Sequence, residues 1–232
     1  MMHSLPEGYR ALVFGASGAI GQAFWHALQN DPRCAQVWGL SRQSTPGFDL
    51  LDEASVAACA QTLAPQGPFH LVLDATGALT LNGRGPEKRL EELDAAHLMH
   101  AMQLNAVGPS LLLKHFWPLM ASGQRVIWGK LSARVGSIED NRKGGWYGYR
   151  AAKAALNMLL QTAAIEVSRR RPLAVVAALQ PGTVQSALSK PFVGDDALSP
   201  EDAAQRLLSV LDALQPTGRA QFVDHQRHHI PW

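Results

Sequence analysis

Arg10-Ala11-Leu12-Val13-Phe14 runs into Gly15-Ala16-Ser17-Gly18-Ala19-Ile20-Gly21, and an amphipathic stretch from Ala19 to Asn30 follows. An apolar run of strand length, a turn of small residues and a helix, in that order, form the unit that cradles a dinucleotide pyrophosphate. Small side chains let the backbone approach a phosphate closely. The helix N-terminus adds free N–H groups and the positive end of its dipole. Glycines fall at 15, 18 and 21, with Ala19 inside the turn. A tight strand-to-helix turn without any ligand can use the same glycines, so the rest of the chain must support the reading.

Outward from this unit, short apolar runs alternate with longer amphipathic ones. Gln36–Leu40, Phe69–Leu73, Arg125–Trp128, Leu173–Leu179 and Gln221–Val223 read as further strands. Helices are expected at Glu53–Leu63, over Leu90–Met120 with a break near Gly108-Pro109, and at Tyr149–Arg170. Another begins at Ser199-Pro200-Glu201-Asp202, where a serine cap, a proline and early acids are start signals. Near-continuous apolar strands separated by helices predict a parallel sheet covered on both faces. The expectation is an α/β chain, Rossmann-type and doubly wound, with a mainly parallel sheet of about seven strands. Its 232 residues, 47% of them apolar, suffice for one domain spanning 1–232.

The second strand ends in Leu40-Ser41-Arg42, and no acid occurs from Gln36 to Ser44. Dinucleotide sites that take NAD(H) place an acid near this point for the ribose hydroxyl, whereas an arginine suits a 2′-phosphate. Ser41 and Arg42 therefore argue for NADP(H) over NAD(H). Further along, Tyr149 and Lys153 stand four residues apart at the start of a helix, so both can face one cleft. A free tyrosine titrates at about 10, and a neighbouring cation favours its phenolate.

Taken together, Gly15–Gly21, Asn105 and Tyr149-x-x-x-Lys153 resemble the short-chain dehydrogenases/reductases. The strings 131–138, 144–149, 181–184 and 189–192, with the terminal Ile230-Pro231-Trp232, resemble its C-factor-like branch, which includes the sniffer-type carbonyl reductases. The resemblance implies hydride transfer between a nicotinamide and a carbonyl or alcohol. Tyr149 would be the general acid or base, Lys153 would hold the nicotinamide ribose, and Asn105 would position a water. It also implies that Gly15, Ser17, Gly18, Ala19, Ile20 and Gly21 hold the pyrophosphate and that Asp49 and Leu50 border the adenine. Ala75, Thr76 and Gly77 would flank the cofactor, with Pro181, Gly182, Thr183 and Val184 against the nicotinamide. The family's catalytic serine falls where this chain has Ala133. Ser132 is the first choice to replace it, Ser137 the reserve, and the role can also stand empty.

Net charge is +2 with no basic run, which argues against a nucleic-acid partner, and no apolar stretch approaches a membrane span. Without a signal peptide and with only Cys34 and Cys59, read as free thiols, a cytoplasmic location is expected. No metal site is expected: His225, His228 and His229 read as an exposed tail. Trp146 either walls the substrate pocket or anchors its loop. Val184, Ala187, Leu188, Phe192 and Val193 suggest an apolar substrate pocket. A homodimer or homotetramer is expected from the family alone. An NADP(H)-binding sensor with little turnover is the competing reading, and a longer epimerase-type relative is disfavoured by length.

Overall fold

The structure, a computed structural model, describes residues 1–185 and 197–232. Six strands form one parallel sheet: β1 (Tyr9–Phe14), β2 (Cys34–Leu40), β3 (Leu71–Asp74), β4 (Val126–Leu131), β5 (Ala174–Gln180) and β6 (Ala220–Asp224). Their spatial order is β2-β1-β3-β4-β5-β6. The expected seventh strand is not found among the described residues. Segment 75–89, the longest described stretch between two elements, runs from β3 to a 3-10 turn at Leu90–Glu92, carries Gly83, Gly85 and Pro86 and joins no strand ladder.

Alternation along the strands builds two cores. Leu12, Phe14, Val72, Val126, Trp128 and Val176 face α2 (Glu53–Leu63), α4 (Gly108–Phe116) and α5 (Tyr147–Ser168). Ala11, Val13, Leu71, Leu73, Ile127 and Val175 face α1 (Ala19–Gln29) and α6 (Pro200–Ala213). Such side chains each contribute on the order of 1.5–3 kcal/mol by leaving water. Both faces are covered, which is why the strands read as apolar throughout. Cys34 and Cys59 are free thiols.

The helical region expected from Leu90 starts later and does not break at Gly108-Pro109. Asp94 caps α3 (Ala95–Met102) by accepting from His97 N at 2.8 Å. A π-helical turn, Gln103–Val107, then leads directly into α4. Proline has no N–H and its ring collides with the carbonyl four residues back, here that of Asn105. Widening the helix to the π geometry accommodates Pro109, and the helix continues into α4.

From β1 the chain moves outward to β2 and then returns to β3 on the other side of β1. The crevice at the carboxyl ends of β1 and β3 is therefore the topological switch point, where ligands of open α/β sheets bind. Gly15, after β1, closes on Ala75, after β3: a Cβ at Gly15 would lie 2.9 Å from the Ala75 carbonyl carbon.

Candidate active site

The turn after β1 is built for close approach. Gly15 has φ +76, and a Cβ on Gly21 would sit 2.1 Å from the Gly15 carbonyl oxygen, so both positions require glycine. Gly18 caps α1 with extended backbone and no side-chain bond, and the first turn holds no acidic residue. That leaves the first N–H groups of α1 to an incoming anion. Ser17 and Gly18 are exposed, while Ala19 and Ile20 are half-buried.

Beyond β2, Ser41 accepts from Gln43 N at 3.2 Å, and exposed Arg42 makes no ion pair among the described residues. Asp49 is exposed and accepts from Leu51 N at 3.0 Å, whereas Leu50 is buried against Gly108. Ala75, Thr76 and Gly77 follow β3 at the switch point. Gly77 has φ +131, and a Cβ there would lie 2.8 Å from Asn105 Oδ1 and 3.5 Å from Lys153 Nζ. A missing side chain thus keeps open a space that two polar groups border. These features fit a phosphate-bearing dinucleotide lying along the crevice.

Tyr149 and Lys153 occupy successive turns of α5, as their spacing predicts. Lys153 Nζ lies 5.5 Å from the centre of the Tyr149 ring and donates to the Leu131 carbonyl at 3.1 Å. Asn105, fully buried in the π turn, bonds the Ala78 backbone twice, at 3.0 Å each way. The electrostatics differ from the expected simple assistance. Burial pushes the Tyr149 phenol up to about 12. Burial, and then the charge of Lys130, hold Lys153 well below the usual lysine range, with Asp74 opposing. Each group's own desolvation outweighs the help that a cation gives a phenolate.

A cavity of about 960 Å³ opens beside Tyr149. Of the expected residues, Ile20, Ser132, Tyr149, Pro181, Gly182, Thr183 and Val184 line it, together with Trp146 and Ala133. Because β4 ends at Leu131, strand alternation no longer applies, and Ser132 and Ala133 both reach the cavity. The Ser132 hydroxyl donates to Asn157 Oδ1 at 2.7 Å. Ser137 instead accepts from Asp140 N at 3.0 Å and is not in the lining. Trp146 takes a left-handed conformation at the start of α5 and packs edge-on against Tyr149 with centroids 6.3 Å apart. It lines the cavity and packs against the first turn of α5. Ala187, Leu188, Phe192 and Val193, with the rest of 186–196, lie outside the described residues. His228 and His229 are exposed, as expected of the tail, although His228 Nδ1 sits 3.2 Å from Asp224 Oδ2; His225 is half-buried and packs on Gly182.

Several polar residues escaped sequence reasoning. Glu87 is 1% exposed, and its Oε2 accepts from Gly148 N at 3.0 Å, placing a carboxylate at the positive end of α5. Lys130 is buried against Asp74 at 2.9 Å. Asn157 contacts Ser132, and Arg134, Arg142, Lys143 and Arg150 rim the cavity.

Comparison with known proteins identifies the family and the fold. The family model described as enoyl-(acyl carrier protein) reductase matches residues 33–220. The chain is 31% identical over 189 residues to a 1-hydroxy-2-glutathionyl-2-methyl-3-butene dehydrogenase from Rhodococcus sp. (strain AD45), covering 81% of this chain and 79% of that one. It is 32% identical over 167 residues to C-signal of Myxococcus xanthus, covering 72% and 94%. In fold it is similar to an NADPH-bound carbonyl reductase from chicken fatty liver, with TM-score 0.85, 19% identity and coverage of 99% and 97%. The carbonyl reductase Sniffer of D. melanogaster superposes with TM-score 0.82 at 19% identity, covering 97% and 99%. With most of its length matched, the chain belongs to the short-chain dehydrogenases/reductases, a family of oxidoreductases.

Proposed function

We propose that this protein is an NADP(H)-dependent carbonyl reductase. The observation that carries the reading is Tyr149 in the wall of a large cavity at the carboxyl ends of β4 and β5, with Lys153 one turn behind it. Two further points support it: the free Arg42, which suits a 2′-phosphate, and the NADPH-bound carbonyl reductase of the same fold. The cofactor would lie along Gly15–Gly21, Ser41, Arg42, Asp49, Leu50, Ala75–Gly77 and Pro181–Val184. When bound, it supplies or accepts the hydride.

The residues of the chain do the rest. Tyr149 donates its phenolic proton to the substrate oxygen during reduction, and a phenol titrating at about 12 holds that proton throughout the neutral range. Ser132, beside it in the wall, hydrogen-bonds the same oxygen as negative charge develops. Lys153 and Asn105, both fully enclosed, hold the ribose and the proton path behind Tyr149. Leu79, Trp146 and Val184 keep water from the reacting centre.

NADPH consumption over a panel of aldehydes, ketones and quinones tests the proposal. We expect turnover with NADPH in preference to NADH, and a loss of about a hundred- to ten-thousand-fold in Tyr149→Phe. Ala133 at the family's serine position and the similarity to C-signal favour a second reading, a binding protein that senses NADP(H). Tight NADPH binding without turnover on any compound establishes that reading and removes the first.

A further inference from the structure

We propose that the carbonyl substrate carries a carboxylate, held by cations at the mouth of the cavity. The inference rests on the reductase reading and adds a substrate class to it.

Arg134, Arg142, Lys143 and Arg150 all line the cavity, and Asp140 is the one acid in its described lining. That acid is already engaged, with Arg134 NH1 3.7 Å away, and Arg134 also reaches Asp224 at 3.4 Å. The remaining three cations form no ion pair among the described residues. Arg150 is the most telling of them. It is half-buried on the first turn of α5, next to Tyr149. Its Nε donates to the Gly145 carbonyl at 2.9 Å and NH1 to the Val135 carbonyl at 3.3 Å. Two carbonyls fix its orientation without neutralising its charge. Withdrawing an uncompensated guanidinium from water is unfavourable, so an arginine held this way is set up for an anion that arrives later.

The phosphates of the cofactor do not account for this charge. Their cradle is the turn after β1, with Arg42 after β2. Arg142, Lys143 and Arg150 follow β4, which lies three places from β2 in the sheet. The same lining also carries the apolar Ile20, Leu79, Val135 and Trp146, beside the polar Ser132, Gln180 and Thr183. A compound with an apolar body, a carbonyl for Tyr149 and a carboxylate for the cations matches that combination of side chains.

Two aldehydes of the same shape test this: 4-carboxybenzaldehyde and methyl 4-formylbenzoate, each with saturating NADPH. We expect kcat/KM to favour the acid by about tenfold or more, as for one carboxylate facing several partly exposed cations. Raised ionic strength should shrink that ratio. So should the double change Arg142→Ala with Lys143→Ala, and Arg150→Gln should shrink it further by removing the fixed charge. Equal turnover of both aldehydes, or preference for the ester, overturns the inference and leaves the reductase reading standing. If neither aldehyde is reduced, the reductase reading fails for this class, and binding then decides the inference. Terephthalate must quench or shift the fluorescence of bound NADPH at concentrations about tenfold below those needed with dimethyl terephthalate. Indistinguishable binding of the two overturns it.

Discussion

At the scale of single residues, the unusual position is Ala133, which lines the cavity where a hydroxyl is expected. Ser132 can take over only if its one proton is available. A hydroxyl donates once, and here it donates to Asn157 Oδ1 at 2.7 Å. Asn157 Nδ2, however, is buried with no partner among the described residues. Half a turn of that amide brings Nδ2 against Ser132 Oγ as the donor and frees the serine proton for a substrate oxygen. Asn157 is then the positioning residue that makes Ser132 useful. Ser132→Ala is expected to lower kcat by about ten- to a thousand-fold. Asn157→Asp replaces an amide that can donate with a carboxylate that only accepts, and so keeps the serine proton turned inward. It should match the Ser132→Ala loss while NADPH binding stays near the parent value, and Tm falls because the new carboxylate is buried. Wild-type kcat in either variant removes Ser132 from the mechanism.

At the scale of elements, the pairing of β3 with β4 sets the back of the site. Parallel register puts Asp74 opposite Lys130, and the ion pair between them is buried on both sides. Thr76 completes the cluster: its N–H and hydroxyl both donate to Asp74 Oδ1, and its carbonyl accepts from Lys130 Nζ at 2.7 Å. The bends that lead to Gly77 are fixed by charge rather than by apolar packing. Removing one partner leaves the other as an uncompensated buried charge, which costs about 3–5 kcal/mol. Lys130→Met should therefore lower Tm by on the order of 10 °C, and Asp74→Asn in the same chain should recover much of it. A Lys130→Met protein as stable as the parent would show the pair to be energetically silent. This cluster also marks where sequence reading stops. Gly15–Gly21 and Tyr149–Lys153 were legible because their chemistry lies within one turn and one helix face. Asp74–Lys130, Ser132–Asn157 and Glu87–Gly148 each join residues 25 to 61 positions apart and depend on register between elements. Lys130 did leave a trace, as a charge inside a run otherwise apolar enough for a buried strand. The π turn leaves another, since Pro109 four residues after Asn105 disfavours an ordinary helix there, but composition does not distinguish a break from a widened turn.

For the whole molecule, the question is what covers the outer side of α5. Its inner face, with Ala152, Leu156, Leu160 and Ala164, is spent on the core. The opposite side shows Met158 at 66%, Leu159 at 41% and Ile165 at 40% exposure, with Met99 on α3 at 60% and Val107 in the π turn at 46%. Met158 and Ile165 are seven residues apart, so they share a stripe along the helix. Isolated apolar residues on a surface are ordinary, but a stripe continued on neighbouring elements signals an interface. A second copy of the chain is the simplest partner, because a two-fold axis lets one such face cover itself. The family expectation of a homo-oligomer points the same way. We therefore expect a dimer or tetramer by light scattering in solution, and dissociation when Met158→Glu and Ile165→Glu are combined. Two charges opposed across a two-fold axis repel and cannot be desolvated cheaply. Since α5 also carries Tyr149 and Lys153, the monomeric variant should keep its fold by circular dichroism while its Tm falls. A parent protein that runs as a monomer at micromolar concentration would leave the stripe to another partner, and a variant that stays assembled would place the interface elsewhere.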